Sequence, residues 1–445
     1  MKKKGYLFIF ILLLIFFSAC NTLPFSAVEE PTLMQSTEVS SEPIPKIDPV
    51  DAWALWTGAT HLRGANIHQR RVYPEIDGLE FFGSGPVGPP YSQESFDKLA
   101  QLGANYVNIS HPGLFTEQPP FIPDEDIIQN LDSLLAMIAR ADMFAVISFM
   151  TGPGRSEYTF FWDEYNTWFD ESYLNDSVWG DAAAQSAWVD MWLYTAERYR
   201  DNPIVVGYDL MVEPNSNEVG SSVLDDLLDI WEPELFYDLY RGTLYDWNSM
   251  FPPIISAIRE VDSETPIIVG GNGYSGLDWL PYIEVVDDQK IVYAVHQYAP
   301  TQYAFQRPNS KMIGYPSRLD LDWDGSKDEF DQEWMSASLD GINEFWRSNG
   351  YRPVVVNEYG LHRWVPGAAE FMDDEMALFE DLGVNYALWY WPPDWEPLLE
   401  KQNYFSFTYG EDPRSVNDVS NALTDVIQKY WGRNYVRPSH SKPEL

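Results

Sequence analysis

The chain has 445 residues with 28 Lys and Arg against 68 Asp and Glu, a formal charge of −40 at pH 7. A polyanion of this size repels phosphate backbones and brings few cations to release counterions, which excludes nucleic acid as a partner class. With 45% hydrophobic and 16% aromatic residues the composition is that of a folded chain, and the length fits two or three ordinary domains or one α/β barrel.

In chain order, Lys2, Lys3 and Lys4 precede an apolar run from Tyr6 to Phe17 that closes on the small residues of Phe17-Ser18-Ala19-Cys20. This is the layout of an export signal, and the run is shorter than the roughly 20 apolar residues of a stable membrane span. Cys20 is the only cysteine, so neither an internal disulfide nor a cysteine-based metal site is expected. The segment 1–20 resembles a bacterial lipoprotein box. That resemblance implies lipidation of Cys20, a lipid anchor to the membrane and an extracytoplasmic, cell-surface or periplasm-facing location. The alternative is a plain secretory signal ending in Cys. Residues 21–50 are rich in Ser, Thr, Pro and Glu and read as a tether. The folded body is expected over 51–431 and a polar tail over 432–445.

Within the body, short β-rich runs alternate with longer helical patterns. Strands are expected at Leu62–Ile67, Asn105–Ile109, Phe144–Phe149, Val205–Met211, Pro266–Val269, Ile291–His296, Pro353–Asn357 and Asn385–Trp389. Helices are expected at Gln93–Leu102, Ile127–Ala141, Ala182–Tyr199, Trp247–Val261, Gln332–Ser348 and Ala368–Leu382. Eight strands alternating with helices predict an α/β fold, a (β/α)8 TIM barrel. No Gly-x-Gly-x-x-Gly follows a strand, so the dinucleotide-binding alternative lacks its chemistry.

A barrel of this kind places its chemistry at the C-terminal ends of the strands. Glu213 follows the fourth strand in Leu210-Met211-Val212-Glu213-Pro214, and Glu358 follows the seventh in Val354-Val355-Val356-Asn357-Glu358. A carboxylate behind an apolar strand is costly unless something uses or pairs it. Two carboxylates about 5–5.5 Å apart cleave a glycosidic bond with retention, and a wider pair admits a water and inverts. The competing expectation is a buried ion pair with a basic residue such as Arg63. Six histidines without metal-ligand spacing and the absence of a Gly-x-Ser-x-Gly elbow disfavour metal-dependent and serine hydrolases.

Glu213-Pro214, His296-x-Tyr298, Glu358-Tyr359-Gly360 and Trp389, with Arg63-Gly64-Ala65-Asn66 on the first strand, resemble the clan A glycoside hydrolases. Family 5, with its cellulase-like members, is the most similar. The resemblance runs from about Leu62 to Trp391. It implies that Glu213 is the acid/base and Glu358 the nucleophile of a retaining enzyme. The implied substrate is a neutral β-linked polysaccharide or oligosaccharide, glucan or mannan, and no cofactor is required. Arg63, Asn108, His296, Tyr298 and Trp389 are the implied substrate-binding residues. Three positions depart from the family pattern: Val212 stands where an Asn is usual, Asn108 where an Arg is usual, and Met150 where a His is usual. Each removes a donor beside the reacting sugar, so altered sugar preference or low activity is expected. A surface lipoprotein that binds glycans without cleaving them is the alternative.

Two further patterns carry expectations. The loops after the third and fourth strands hold Phe160, Phe161, Trp162, Trp168, Phe169, Trp179, Trp231, Phe236, Tyr237, Tyr240 and Tyr245. Such rings either wall a sugar cleft or pack the inserted segments. Asp320, Asp322, Asp324, Asp328 and Asp331 have the spacing of a calcium loop with Asp as its last ligand; the alternative is a solvated acidic loop.

Overall fold

The computed structural model describes residues 51–440 apart from 84, 165, 221–227, 309–310, 322–323 and 400–402. The leader with Cys20 and the tether over 21–50 lie outside the described residues.

Eight parallel strands close into a barrel in sequential order. They are β1 (Arg63–His68), β2 (Tyr106–Pro112), β3 (Phe144–Thr151), β4 (Val205–Asp209), β5 (Ile267–Gly270), β6 (Ile291–Gln297), β7 (Val354–Tyr359) and β8 (Asn385–Leu388). Each coincides with an expected strand to within a few residues at either end. The (β/α)8 barrel is therefore the fold.

The outer layer holds α1 (Gln93–Gln101), α2 (Glu125–Arg140), α3 (Ala182–Tyr199), α4 (Trp247–Val261), α5 (Gln332–Asn349), α6 (Ala368–Leu382) and α7 (Ala422–Trp431). The crossover from β5 to β6 carries only a 3-10 segment, Leu277–Tyr282. Much of the acidity is spent locally. Asp124, Asp181, Asp246 and Asp331 each accept a backbone N–H at the start of a helix, a cap worth about 1 kcal/mol. Among the described residues no helix is long and apolar enough to cross a membrane.

The barrel interior is layered. Its lower half is apolar, with Leu62, Tyr106, Phe144, Val146, Val206, Ile268, Val292 and Val355 packed on a plug formed by Leu55, Trp56 and Val436. Trp56 Nε1 donates to the Val206 carbonyl at 2.8 Å. The stretch after Trp431, expected as a polar tail, runs under this end as far as residue 440. Asn434 donates to the carbonyls of Arg63 and Gly103, and Val436 is buried with its carbonyl bonded to Asn105. Its sequence is polar because it satisfies strand-end backbone groups, which an apolar segment could not do.

The upper half is polar, and irregular pairing helps make it so. Val295 of β6 pairs with Val356, but His296 pairs with Glu358, so Asn357 is an extra residue in β7. Such a bulge breaks the in-out alternation. Consecutive residues Asn357 and Glu358 can therefore both serve the barrel interior.

Candidate active site

The fourth, sixth and seventh strands bring Glu213, His296, Tyr298 and Glu358 together at the C-terminal mouth. Both glutamates are almost fully buried. His296 Nδ1 lies 3.0 Å from Glu213 Oε1 and 3.4 Å from Glu358 Oε2, and Tyr298 Oη donates to Glu358 Oε2 at 2.8 Å. One oxygen of each glutamate and the imidazole nitrogen all lie within 4.8 Å of one another. Glu213 Oε2 is buried with no hydrogen-bond partner among the described residues. Neither glutamate pairs with an arginine side chain among the described residues; each faces the other across an imidazole.

Electrostatics follow from this crowding. Burial opposes a charge on His296, but Glu358, Glu213 and Asp209 outweigh it and push the imidazole up to about 9. Burial also pushes the Glu358 carboxyl up; His296 pulls it back, Glu213 adds to the rise, and it reaches about 8. Burial and the neighbouring Glu213 thus hold the Glu358 carboxyl above the ordinary carboxylate range, beside an imidazolium.

Beneath the glutamates runs a polar ring contributed by five strands. Asn108 donates to Asn66 Oδ1 at 2.7 Å and accepts from Ser148 at 2.8 Å. Asn66 donates to the Asn357 carbonyl at 2.8 Å, and the Asn357 amide donates to Asp209 at 3.0 Å. Asp209 is buried and pushed up to about 7, with His296, Ser148 and Asn357 opposing the rise. Asn108 thus reaches Glu358 only through Asn66 and the backbone next to the carboxylate.

Arg63 lies elsewhere. It occupies the first position of β1, at the N-terminal end, and forks onto Glu380 of α6 at 2.6 and 2.7 Å, with Asn434 as a third partner. An arginine at the start of a strand points into the helix layer, so it neither binds at the mouth nor pairs with Glu213 or Glu358. Trp389 follows β8 at the mouth, buried, its ring 5.7 Å from that of His68. Of the acidic stretch, Asp328 belongs to a two-stranded antiparallel pair, Ser317–Leu319 against Asp328–Phe330. Asp320 and Asp324 accept from their own loop, Asp331 caps α5, and Asp322 lies outside the described residues.

Most of the loop aromatics pack the insertions. Trp179 is buried against Trp247, Phe169 against Tyr158 and Trp168, and Phe236 and Tyr237 against Trp279. Phe160, Phe161 and Trp231 instead join Met150, Val212 and Tyr274 in one apolar cluster around the residue next to Glu213. Trp231 stacks on Tyr274 with rings 5.7 Å apart and 10° from parallel.

Sequence reasoning missed Asp209, Asn357 and Arg155. Arg155 follows Gly152-Pro153-Gly154 in the loop after β3, and its guanidinium bonds the main chain on both sides of Glu213's Cα. The Gly-Pro-Gly run was the available signal, since it marks a backbone held close to its neighbours: a Cβ at Gly154 would sit 2.7 Å from Ala184.

Known proteins agree with this architecture. Residues 65–394 match the model of the family described as Cellulase (glycosyl hydrolase family 5). Endoglucanase C of Acetivibrio thermocellus is 23% identical over 242 residues, 52% of this chain and 59% of the relative. Endoglucanase C307 of Clostridium sp. (strain F1) is 22% identical over the same shares. The chain thus spans somewhat over half the length of these relatives. Among solved structures, endoglucanase Cel5A of Thermotoga maritima superposes with a TM-score of 0.55 at 16% identity, covering 82% of this chain and 96% of that one. Cellulose synthase subunit Z of Clostridioides difficile gives 0.54 at 17%, covering 83% and 99%. The family match covers most of the body and both glutamates, and the chain belongs to glycoside hydrolase family 5.

Proposed function

We propose that this protein is a retaining glycoside hydrolase that cleaves a neutral β-linked glucan-type polysaccharide or oligosaccharide. The observation that carries the reading is the pair of buried carboxylates, with an oxygen of each within 4.8 Å. Carboxylates this close suit double displacement better than the wider pair of an inverting site. Glu358, held by Tyr298 and His296, attacks the anomeric carbon. Glu213 gives its proton to the departing oxygen as the glycosidic bond breaks, then takes a proton from the water that releases the sugar from Glu358. The attack requires Glu358 to be ionised. The Tyr298 hydrogen bond and the imidazolium favour that form and oppose the rise that burial and Glu213 cause. A solved structure with a similar fold is described as an endo-β-1,4-glucanase in complex with substrate, which makes β-1,4-glucan the first substrate to test.

The test is a polysaccharide panel followed by two substitutions. Glu358→Gln should abolish turnover on every substrate, whereas Glu213→Gln should recover most of its glycosylation rate on a dinitrophenyl glycoside, whose leaving group needs no proton. Near wild-type rates for both variants on a cleavable glycan would refute the assignment. The second reading, a glycan-binding protein without turnover, draws on Val212, Asn108 and Met150, which leave the site short of donors; release of reducing ends separates the two. We further propose that Cys20 carries a lipid and holds the body at an extracytoplasmic membrane face, a reading supported by the Lys2–Cys20 pattern. Mass spectrometry of the native mature protein should find Cys20 modified and N-terminal, and an unmodified Cys20 would refute it.

A further inference from the structure

Glu213 has a backbone φ of +51°, a left-handed conformation that costs a non-glycine residue about 1–2 kcal/mol. Its side chain leaves the backbone at a turn that local preference opposes, so something outside the turn must hold it. Arg155, fully buried, supplies that hold. Its Nη1 donates to the carbonyls of Met150 at 2.6 Å and Val212 at 2.9 Å, and its Nη2 donates to the Glu213 carbonyl at 2.7 Å and to Asn215 Oδ1 at 3.2 Å. The Phe160 ring covers the guanidinium, with its centroid 4.9 Å from Cζ. One rigid fork thus bonds the carbonyl before the Glu213 peptide, the carbonyl after its Cα, and the side chain two residues on, and also ties the end of β3 to the end of β4.

The fork is itself tightly placed. The Arg155 N–H donates to the Gly152 carbonyl and the Gly152 N–H to the Arg155 carbonyl, both at 2.9 Å. Gly154 takes a φ of +70° in space that admits no Cβ. Only a planar cation with several donors in fixed directions fits this set of acceptors; a lysine ammonium keeps the charge but cannot span the carbonyls of Val212 and Glu213 in the same way.

We propose that Arg155 is a positioning residue for the acid/base. By clamping both carbonyls around Glu213 it fixes the left-handed turn and aims the carboxyl at the glycosidic oxygen, without touching substrate. The inference rests on the reading of Glu213 as the acid/base. Its signature follows from that role: a misaimed acid impairs departure of a poor leaving group and spares a good one, whereas general loss of folded protein lowers both rates alike.

The experiment compares wild type, Arg155→Lys, Arg155→Met and Glu213→Gln on a cleavable oligosaccharide and on its 2,4-dinitrophenyl glycoside, with active protein counted by covalent titration of the nucleophile. For both Arg155 variants kcat on the oligosaccharide should fall about 10- to 100-fold, a part of the 10²–10⁴ that general acid catalysis supplies, with KM changed less than about threefold. The pre-steady-state burst on the dinitrophenyl glycoside should change less than about threefold, and azide should accelerate the slowed second step by giving a glycosyl azide. Arg155→Lys, which keeps charge and most of the volume, carries the test if Arg155→Met does not fold. If Glu213→Gln shows the leaving-group and azide pattern and Arg155→Lys does not, the clamp is refuted. If Glu213→Gln itself loses both substrates equally, the acid/base reading falls first, and the clamp with it.

Discussion

Val212 fills the place beside Glu213 with an apolar side chain that packs on Met150, Phe160 and Tyr274, so under the proposed reading it offers no amide to a sugar hydroxyl there. Contacts to the 2-hydroxyl strengthen in the transition state and supply several kcal/mol in such enzymes. Removing that hydroxyl from the substrate should therefore cost this protein about tenfold or less in kcat/KM, measured with matched 2-deoxy and parent aryl glycosides. A loss of several hundredfold would show that another donor has taken the contact. The glutamate pair makes a second residue-scale prediction. Glu358 can attack only when ionised, and burial with the neighbouring Glu213 holds its carboxyl up to about 8, so kcat/KM should rise as pH climbs toward 8. His296→Gln removes the charge that opposes protonation of Glu358 and should move that limb upward. Glu213 and Glu358 were legible in the sequence because a carboxylate behind three apolar strand residues is expensive and conspicuous. Arg63 was misplaced because it was carried over with the Arg63-Gly64-Ala65-Asn66 motif, although its position at the start of the strand already set it away from the C-terminal end. Arg155 had only the preceding Gly152-Pro153-Gly154 run to mark it, because a loop has no periodicity and an arginine bonding backbone carbonyls has no partner type to search for.

At the scale of elements, the polar ring of Asn66, Asn108, Ser148, Asp209 and Asn357 spans five strands and supports the site from below. The apolar plug of Leu55, Trp56 and Val436 closes the other end. These two layers predict separable phenotypes. Trp56→Ala should lower stability by about 3–5 kcal/mol, the usual cost of emptying a buried aromatic site, and chemical denaturation should show it as a lower midpoint with little change in slope. At a temperature where the variant is folded, kcat should stay within about twofold of wild type, since Trp56 bonds the start of β4 and Glu213 follows its end. A kcat that fell with stability would mean that the two layers are coupled along the strands. The strands themselves could be read from alternation and β-branched runs. The Asn357 bulge could not, because it depends on the partner strand and leaves the local pattern of β7 unchanged.

For the whole molecule, 68 acidic groups against 28 basic ones make pH the strongest lever on stability. Burial holds His68 down to about 3 and His111 and His362 to about 4, so the folded state binds fewer protons there than the unfolded chain, and stability is lost as pH falls from about 6.5 toward those values. Burial raises Asp209 to about 7 and Glu157 and Glu358 to about 8. For these the sign reverses: the folded state keeps protons that the unfolded chain has released, and stability is lost as pH rises from about 4 through 8. Self-repulsion of the net charge adds to the alkaline loss. Tm measured across pH 3–10 should therefore peak between about 5 and 6.5, and a maximum above pH 8 would contradict these placements. Glu157→Gln, which keeps the shape without the titration, should flatten the alkaline decline.

The plug has one further consequence. Trp53–Trp56, where the described body begins, and Val436, close to where it ends, meet at one pole of the barrel, and Glu213 and Glu358 lie toward the other. A support or fusion partner attached before residue 51 or after residue 440 leaves from the sealed pole. Immobilised through either end on a bead, the body would turn the strand ends that carry Glu213 and Glu358 away from the point of attachment.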